Sequence, residues 1–416
     1  MKHNFIKPLL LALAVAITPL TSCKKKTNYK FDYSNFYGMC EVSYNLSSAV
    51  DKGITNEWVA ERAAAMKCKS FRLWISVSGL FTPTEDDDLE FNQTYLKNMH
   101  DHVDRLHNVG VENFLVMYTA FVFPYDYATA DGYCVPDPRT EEDMYYRFLK
   151  LNALAAKKIV QEFPFIRNIE PGNEPDGDGG SCIHKNGYIY GGTIAVNAEY
   201  LYTTEETASI ICDMCYYCRQ AVKEVGDQYR VSLPGLCNLS NTDPFIETIY
   251  QVIESKTLPF GTEKSDIDPD HYFDIANWHP YPVVTVMKEA PDQDWVDFEN
   301  DIHDVMVKHG DAEKPVYFSE LGWTSWGDDS QAKQDQIAGY YTQMFDMVRT
   351  QMPWVEAVFC FRMSCLISQN ISLGENNFGI FYNQFDPNHP GEPKAAARAI
   401  AKYFNGADYE ITGLSH

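Results

Sequence analysis

Positive charge is scarce in this 416-residue chain: 34 Lys and Arg stand against 58 Asp and Glu, a formal net charge of -24. A surface of that sign repels phosphate, so no nucleic-acid partner is expected. Long hydrophobic runs are missing too; the main apolar stretch, residues 9–20, is too short for a stable membrane-spanning helix. No compact His/Cys/Asp/Glu ligand motif occurs, and neither a metal nor an organic cofactor is expected. There is no internal repeat and no linker, which argues for one domain. Apolar residues are not lacking: 45% hydrophobic and 14% aromatic content is ample for a large core.

The N-terminus has the form of a targeting segment. Lys2 and Lys7 precede the apolar stretch, which ends in Leu20-Thr21-Ser22-Cys23. That ending resembles a bacterial lipoprotein signal. The resemblance implies removal of residues 1–22, lipidation of Cys23, and a lipidated N-terminus and tether over 23–35. The expected location is the bacterial cell envelope, lipid-anchored in the periplasm or at the outer-membrane surface, with the membrane as a partner. Eleven cysteines less Cys23 leave an even ten, compatible with an oxidising compartment. Cys212, Cys215 and Cys218 are spaced along one face of a predicted helix, without a fourth nearby ligand. They read as core or disulfide cysteines rather than a metal site.

Beyond residue 35, apolar strands alternate with amphipathic helices. Strands are expected at 36–44, 70–76, 113–121, 230–236, 274–282 and 357–363, with a fourth strand carrying Glu174 and a seventh carrying Glu320. Helices are expected at 56–67, with Thr55 as N-cap, and at 95–109, 141–163, 204–225, 295–309, 331–351 and 394–404. Long loops at 123–138 and 177–197 suit a functional face. The α/β alternation over 36–416 is that of a single-domain (β/α)8 barrel (a TIM barrel), with a doubly wound open sheet as the alternative. Cys134 and Cys182 fall in the loops after the third and fourth strands, neighbours at one face, and a disulfide is expected there.

Two strand ends carry the chemistry. Asn173-Glu174-Pro175 closes the fourth strand, and Ser319-Glu320-Leu321-Gly322-Trp323 closes the seventh. In a barrel all strand ends open on one face, so these distant glutamates can converge. A pair of carboxyl groups across a cleft is what glycosidic bond cleavage needs: one protonates the leaving oxygen, the other attacks or activates water.

Together with His279-Pro280-Tyr281 on the sixth strand, Arg72 on the second, and the closing stretches 377–381 and 392–394, these motifs resemble clan A of the glycoside hydrolases, closest to families 39 and 5. The resemblance implies a retaining β-glycosidase with a carbohydrate substrate. Glu174 would be the acid/base and Glu320 the nucleophile. Asn173 would bind the sugar 2-hydroxyl, Tyr281 would orient the nucleophile, and His279 would contact substrate or the acid/base. A cationic Arg72 would favour the Glu320 anion. Trp323, Trp326, Trp278 and the aromatics of 121–127 are candidate sugar platforms, while Trp74 is assigned to barrel packing. Glu41 and Glu170 are further inward carboxylates; Glu170 lies too deep for the chemistry. Clan A barrels commonly carry a Trp on the eighth strand; this chain has Phe361, a candidate substitute, followed by Arg362, the alternative candidate as a contact for a negative or bulky substituent. Two other classes remain: a catalytically silent surface glycan-binding lipoprotein on the same barrel, and a metal-dependent hydrolase using His184, His271 and His279.

Overall fold

The computed structural model describes residues 29–31, 33–41, 54–119, 128–129, 132–176, 183–185, 201–237, 245–255, 260, 266–281, 290–365 and 377–414. Cys23, Cys182 and the 121–127 loop lie outside the described residues. Eight parallel strands make one sheet: β1 (Tyr37–Glu41), β2 (Ser70–Ser76), β3 (Asn113–Thr119), β4 (Ile166–Pro171), β5 (Arg230–Val231), β6 (Ala276–Trp278), β7 (Val316–Leu321) and β8 (Val355–Phe361). Their spatial order is β5-β4-β3-β2-β1-β8-β7-β6. Isolated parallel bridges Ser232–Ile275 and Leu236–Trp278 join β5 to β6, closing the sheet on itself. The barrel reading holds, and the open-sheet alternative falls.

Each strand is followed by a helix: α1 (Asn56–Met66), α2 (Gln93–Asn108), α3 (Glu142–Glu162), α4 (Thr204–Lys223), α5 (Phe245–Glu254), α6 (Gln293–Lys308), α7 (Gln331–Gln351) and α8 (Ala395–Asn405). Thr55 caps α1 as expected, accepting from the Trp58 backbone N–H at 3.0 Å. A capping box between Thr203 and Glu206 starts α4. Several elements go beyond the sequence reading, among them a short helix at Val77–Leu80 and a small sheet of Ala128–Thr129, Gly132–Cys134 and Ile183–His184. Helix α5 was not expected, and a hairpin pairs Phe81–Pro83 with Leu89–Phe91. The expected fifth strand shrinks to two regular residues because Pro234 donates no ladder hydrogen bond. None of the described helices is long and apolar enough to cross a membrane.

Strand alternation divides the core. Leu115, Ile275, Tyr317, Ala357 and Phe359 point inward and form a small cluster inside the barrel. Their neighbours Val116, Ala276, Phe318 and Val358 point outward into the large cluster beneath the helices. The interior is therefore a filled layer at the bottom, and polar groups above it line the face where the strands end.

One buried acid belongs to the outer layer. Glu299 on α6 accepts from the Trp278 indole N–H at 2.7 Å. Burial pushes its carboxyl up to about 8, against the indole donors of Trp278 and Trp295. The fold therefore holds Glu299 protonated where the unfolded chain ionises it. Its contribution to stability is full below the ordinary carboxylate value and is lost as pH rises through about 8. Glu299→Gln should leave stability nearly unchanged at pH 4 and raise it at pH 8 by on the order of 3 kcal/mol. Urea unfolding at the two pH values measures this; equal effects at both would contradict it.

Candidate active site

The chain leaves β4 through two left-handed residues, Gly172 (φ 110°) and Glu174 (φ 45°). A left-handed residue with a side chain costs roughly 1–2 kcal/mol. Two backbone contacts hold it in place: Asn173 bridges to Gly235, and the Glu174 N–H donates to the Gly235 carbonyl at 2.9 Å. This turn projects the Glu174 carboxylate into the cleft with 27% of its side chain exposed. Its Oε1 lies 2.7 Å from His279 Nδ1.

Glu320 reaches the same place by a bulge. Tyr317 and Ser319 face inward, so strict alternation would send Glu320 outward. The register of β7 on β8 shifts between Phe318 and Leu321. An extra residue at that point re-aims the following side chain, and both Ser319 and Glu320 face the cleft. Glu320 Oε1 accepts from the Tyr281 hydroxyl at 2.7 Å, and Oε2 from Arg72 Nη1 at 3.0 Å. Side-chain atoms of Glu174, His279 and Glu320 lie within 4.8 Å of one another.

Arg72 is buried and binds three acceptors at once. Nε and Nη2 grip both oxygens of Glu170 at 2.8 Å, Nη2 also donates to Asn173 Oδ1 at 2.7 Å, and Nη1 serves Glu320. Burial works against its charge, but Glu170, Cys40 and Glu320 outweigh it and keep the guanidinium protonated. Glu170 is thus the main partner of Arg72, and it also accepts from the Gly235 N–H at 2.8 Å. Sequence parity placed it inward; that it would share a cation with Glu320 was not visible there.

Burial raises the Glu320 carboxyl, and the charge of Glu174 adds to the rise. His279, Arg72 and the Tyr281 hydrogen bond pull it back without cancelling it. Burial lowers His279, against the opposing pull of Glu320, and its Nε2 lies 3.1 Å from Ser319 Oγ. That ring lies directly over Gly235: a Cβ there would come within 2.1 Å of Nε2. Only glycine fits.

The structure brings together Glu174, Glu320, Arg72, Asn173, His279 and Tyr281. It does not support two of the proposed platforms. Trp323 is 1% exposed and packs edge-on against Tyr341 of α7 at 4.9 Å. Trp278 is fully buried between Phe318 and Trp354. Both are outer-core residues, because the outward direction of their strand positions carries them under the helices. Trp326 is 44% exposed at φ 52° and is open to a ligand. Arg362 is buried and paired with Glu41, whose Oε2 also takes the Ser364 N–H at 2.9 Å. It is therefore committed within the barrel rim rather than offered to a sugar substituent.

His279 converges with the two glutamates and not with His184, which is buried elsewhere, or His271, which is held by Asp266. Cys212, Cys215 and Cys218 are buried thiols in α4, as a core role requires. Cys134 is a buried free thiol, and its expected partner Cys182 lies outside the described residues.

Neither a sequence-family profile nor any curated protein sequence matches this chain. Solved structures do. A family 39 glycoside hydrolase from the gut symbiont Bacteroides cellulosilyticus WH2 aligns at TM-score 0.56 and 14% identity, over 90% of this chain and 64% of that enzyme. A broad-specificity family 5-4 endoglucanase from Clostridium acetobutylicum aligns at 0.57 and 13% identity, over 88% and 97%. A β-glucosidase double mutant from Trichoderma harzianum aligns at 0.55 and 15% identity, over 90% and 99%. At such identities the likeness is one of fold: the chain has the TIM-barrel fold of these clan A glycosidases.

Removing Glu170 would leave Arg72 with half its partners in a dry interior. Glu170→Ala should destabilise the protein by about 3–5 kcal/mol, the usual cost of breaking a buried ion pair. A shift in urea midpoint under 1 kcal/mol would show that the pair does not hold the barrel.

Proposed function

We propose that this protein is a retaining glycoside hydrolase acting on β-linked oligo- or polysaccharides. The observation that carries the reading is the convergence of Glu174 and Glu320 at the strand ends, where one oxygen of each carboxylate lies within 4.8 Å of the other, in keeping with the close pair that direct attack requires. Their surroundings differ in the sense the chemistry needs. Glu320 is nearly enclosed and receives two donors, as a nucleophile must be held; Glu174 is partly open and touches the His279 ring.

In the first half-reaction Glu174 gives its proton to the departing glycosidic oxygen while Glu320 Oε attacks the anomeric carbon. The C–O bond to the leaving group breaks and a glycosyl ester forms. In the second, Glu174 takes a proton from water, the water oxygen attacks the anomeric carbon, and the ester bond to Glu320 breaks. Tyr281 and Arg72 keep the Glu320 carboxylate fixed for attack. No metal enters these steps, and activity should survive exhaustive chelation. The Cys23 motif is the basis for placing the enzyme at the cell envelope on a lipid anchor.

Three substitutions test the reading with a panel of aryl β-glycosides and β-linked oligosaccharides. Glu320→Gln should abolish turnover. Glu174→Gln should cost roughly 10²–10⁴-fold on substrates with poor leaving groups and much less on activated aryl glycosides, which need little protonation. Turnover indifferent to both changes would overturn the assignment, whereas glycan binding without turnover would make the protein a binder. Tyr281→Phe removes a donor to ionised Glu320, so the acid limb of kcat/KM should move to higher pH by up to about one unit. A limb that stays put would remove Tyr281 from the nucleophile's support.

A further inference from the structure

Glu174 sits on a turn whose conformation has to be enforced. A residue with a side chain is disfavoured in the left-handed region and keeps that geometry only where its surroundings over-determine it. The segment 173–176 runs beside 235–237, the continuation of β5, and the two are tied at successive points. Asn173 bridges Gly235 in parallel, and the Glu174 N–H donates to the Gly235 carbonyl. Both of these ties lie at or before Glu174.

Beyond Glu174 the backbone cannot continue the pattern. In a regular parallel ladder the next donor, the Cys237 N–H, would meet the Glu174 carbonyl. Extended geometry is lost at the left-handed residue, and Pro175 has no N–H to offer. A side chain takes the place of the backbone: Asp176 Oδ1 accepts from the Cys237 N–H at 3.0 Å. Asp176 is 7% exposed, so water competes little for that bond. Its carboxylate is also close enough for its charge to act on His279, after Glu320, Arg72 and Glu170. That ring is the one 2.7 Å from Glu174 Oε1. Asp176 thus supplies a third tie, on the far side of the proposed acid/base.

We propose that Asp176 is a positioning residue for the acid/base. By holding the Cys237 N–H it fixes the exit of the turn, and with it the direction of the Glu174 carboxyl. The role rests on the glycosidase reading and deepens it: substrates whose leaving group must be protonated depend on Asp176, and those with a good leaving group do not.

The test compares wild type with Asp176→Ala and Asp176→Asn on a β-linked oligosaccharide and on a dinitrophenyl β-glycoside. Asp176→Ala should lose about tenfold or more in kcat/KM on the oligosaccharide, because a misplaced acid transfers its proton poorly, and little on the aryl glycoside. Retained activity on the aryl glycoside also shows that the variant is folded. Asp176→Asn keeps an oxygen that can accept from Cys237 and should recover turnover of the oligosaccharide. Both variants remove the charge, so only the hydrogen bond separates them. Equal losses on the two substrates, no loss at all, or an Asn variant as impaired as the Ala variant would overturn the proposal. Should wild type turn over neither substrate, the glycosidase reading fails by itself. The nitrogen–proton correlation spectrum of the His279 ring then decides: it should shift in Asp176→Ala and return in Asp176→Asn, and a spectrum unchanged in Asp176→Ala overturns the positioning role.

Discussion

A single buried guanidinium ties the barrel to its site. Arg72 on β2 reaches Glu170 on β4, Asn173 beyond it and Glu320 on β7. A cation in a dry interior is tolerated only when its donors are matched to acceptors in good geometry. The demand runs both ways: three separate strand ends must be in register for Arg72 to be satisfied, and Arg72 must be charged for two carboxylates to share the same small volume. Stability of the barrel mouth and readiness of the site are thus one constraint.

The surrounding backbone is shaped to serve that constraint. A bulge in β7 turns Glu320 inward, a left-handed residue lifts Glu174 out of β4, and the absence of a side chain at Gly235 leaves room for the His279 ring. Each departs from regular geometry, and each lies within reach of the paired carboxylates. Local irregularity concentrates where function demands side-chain directions that a pleated strand cannot give.

Much of this was legible in the sequence, and for physical reasons. Strand and helix periods differ, so the β/α alternation could be read directly, and two strands ending in Glu implied one shared face. Helix α5 escaped because its ten residues are rich in Ile and Val, which mimic a strand, although Phe245, Ile246, Ile249, Tyr250 and Ile253 do follow the helical period. Trp323 and Trp278 were misplaced because composition reveals that an aromatic is present and not which side of the sheet it occupies. Glu170 was placed in the interior correctly, yet its pairing with Arg72 depends on two strands that are separated in sequence and adjacent in space.

The double grip of Glu170 on Arg72 has a consequence for charge balance. Any event that neutralises Glu320, whether protonation or ester formation, removes one of the two anions facing the guanidinium. With Glu320 as sole partner, that event would strand a positive charge in the interior, and the barrel would resist it. Because Glu170 holds two of the guanidinium nitrogens independently, Arg72 remains a neutralised ion pair throughout. The site can pass between a charged and an uncharged Glu320 without its scaffold having to move.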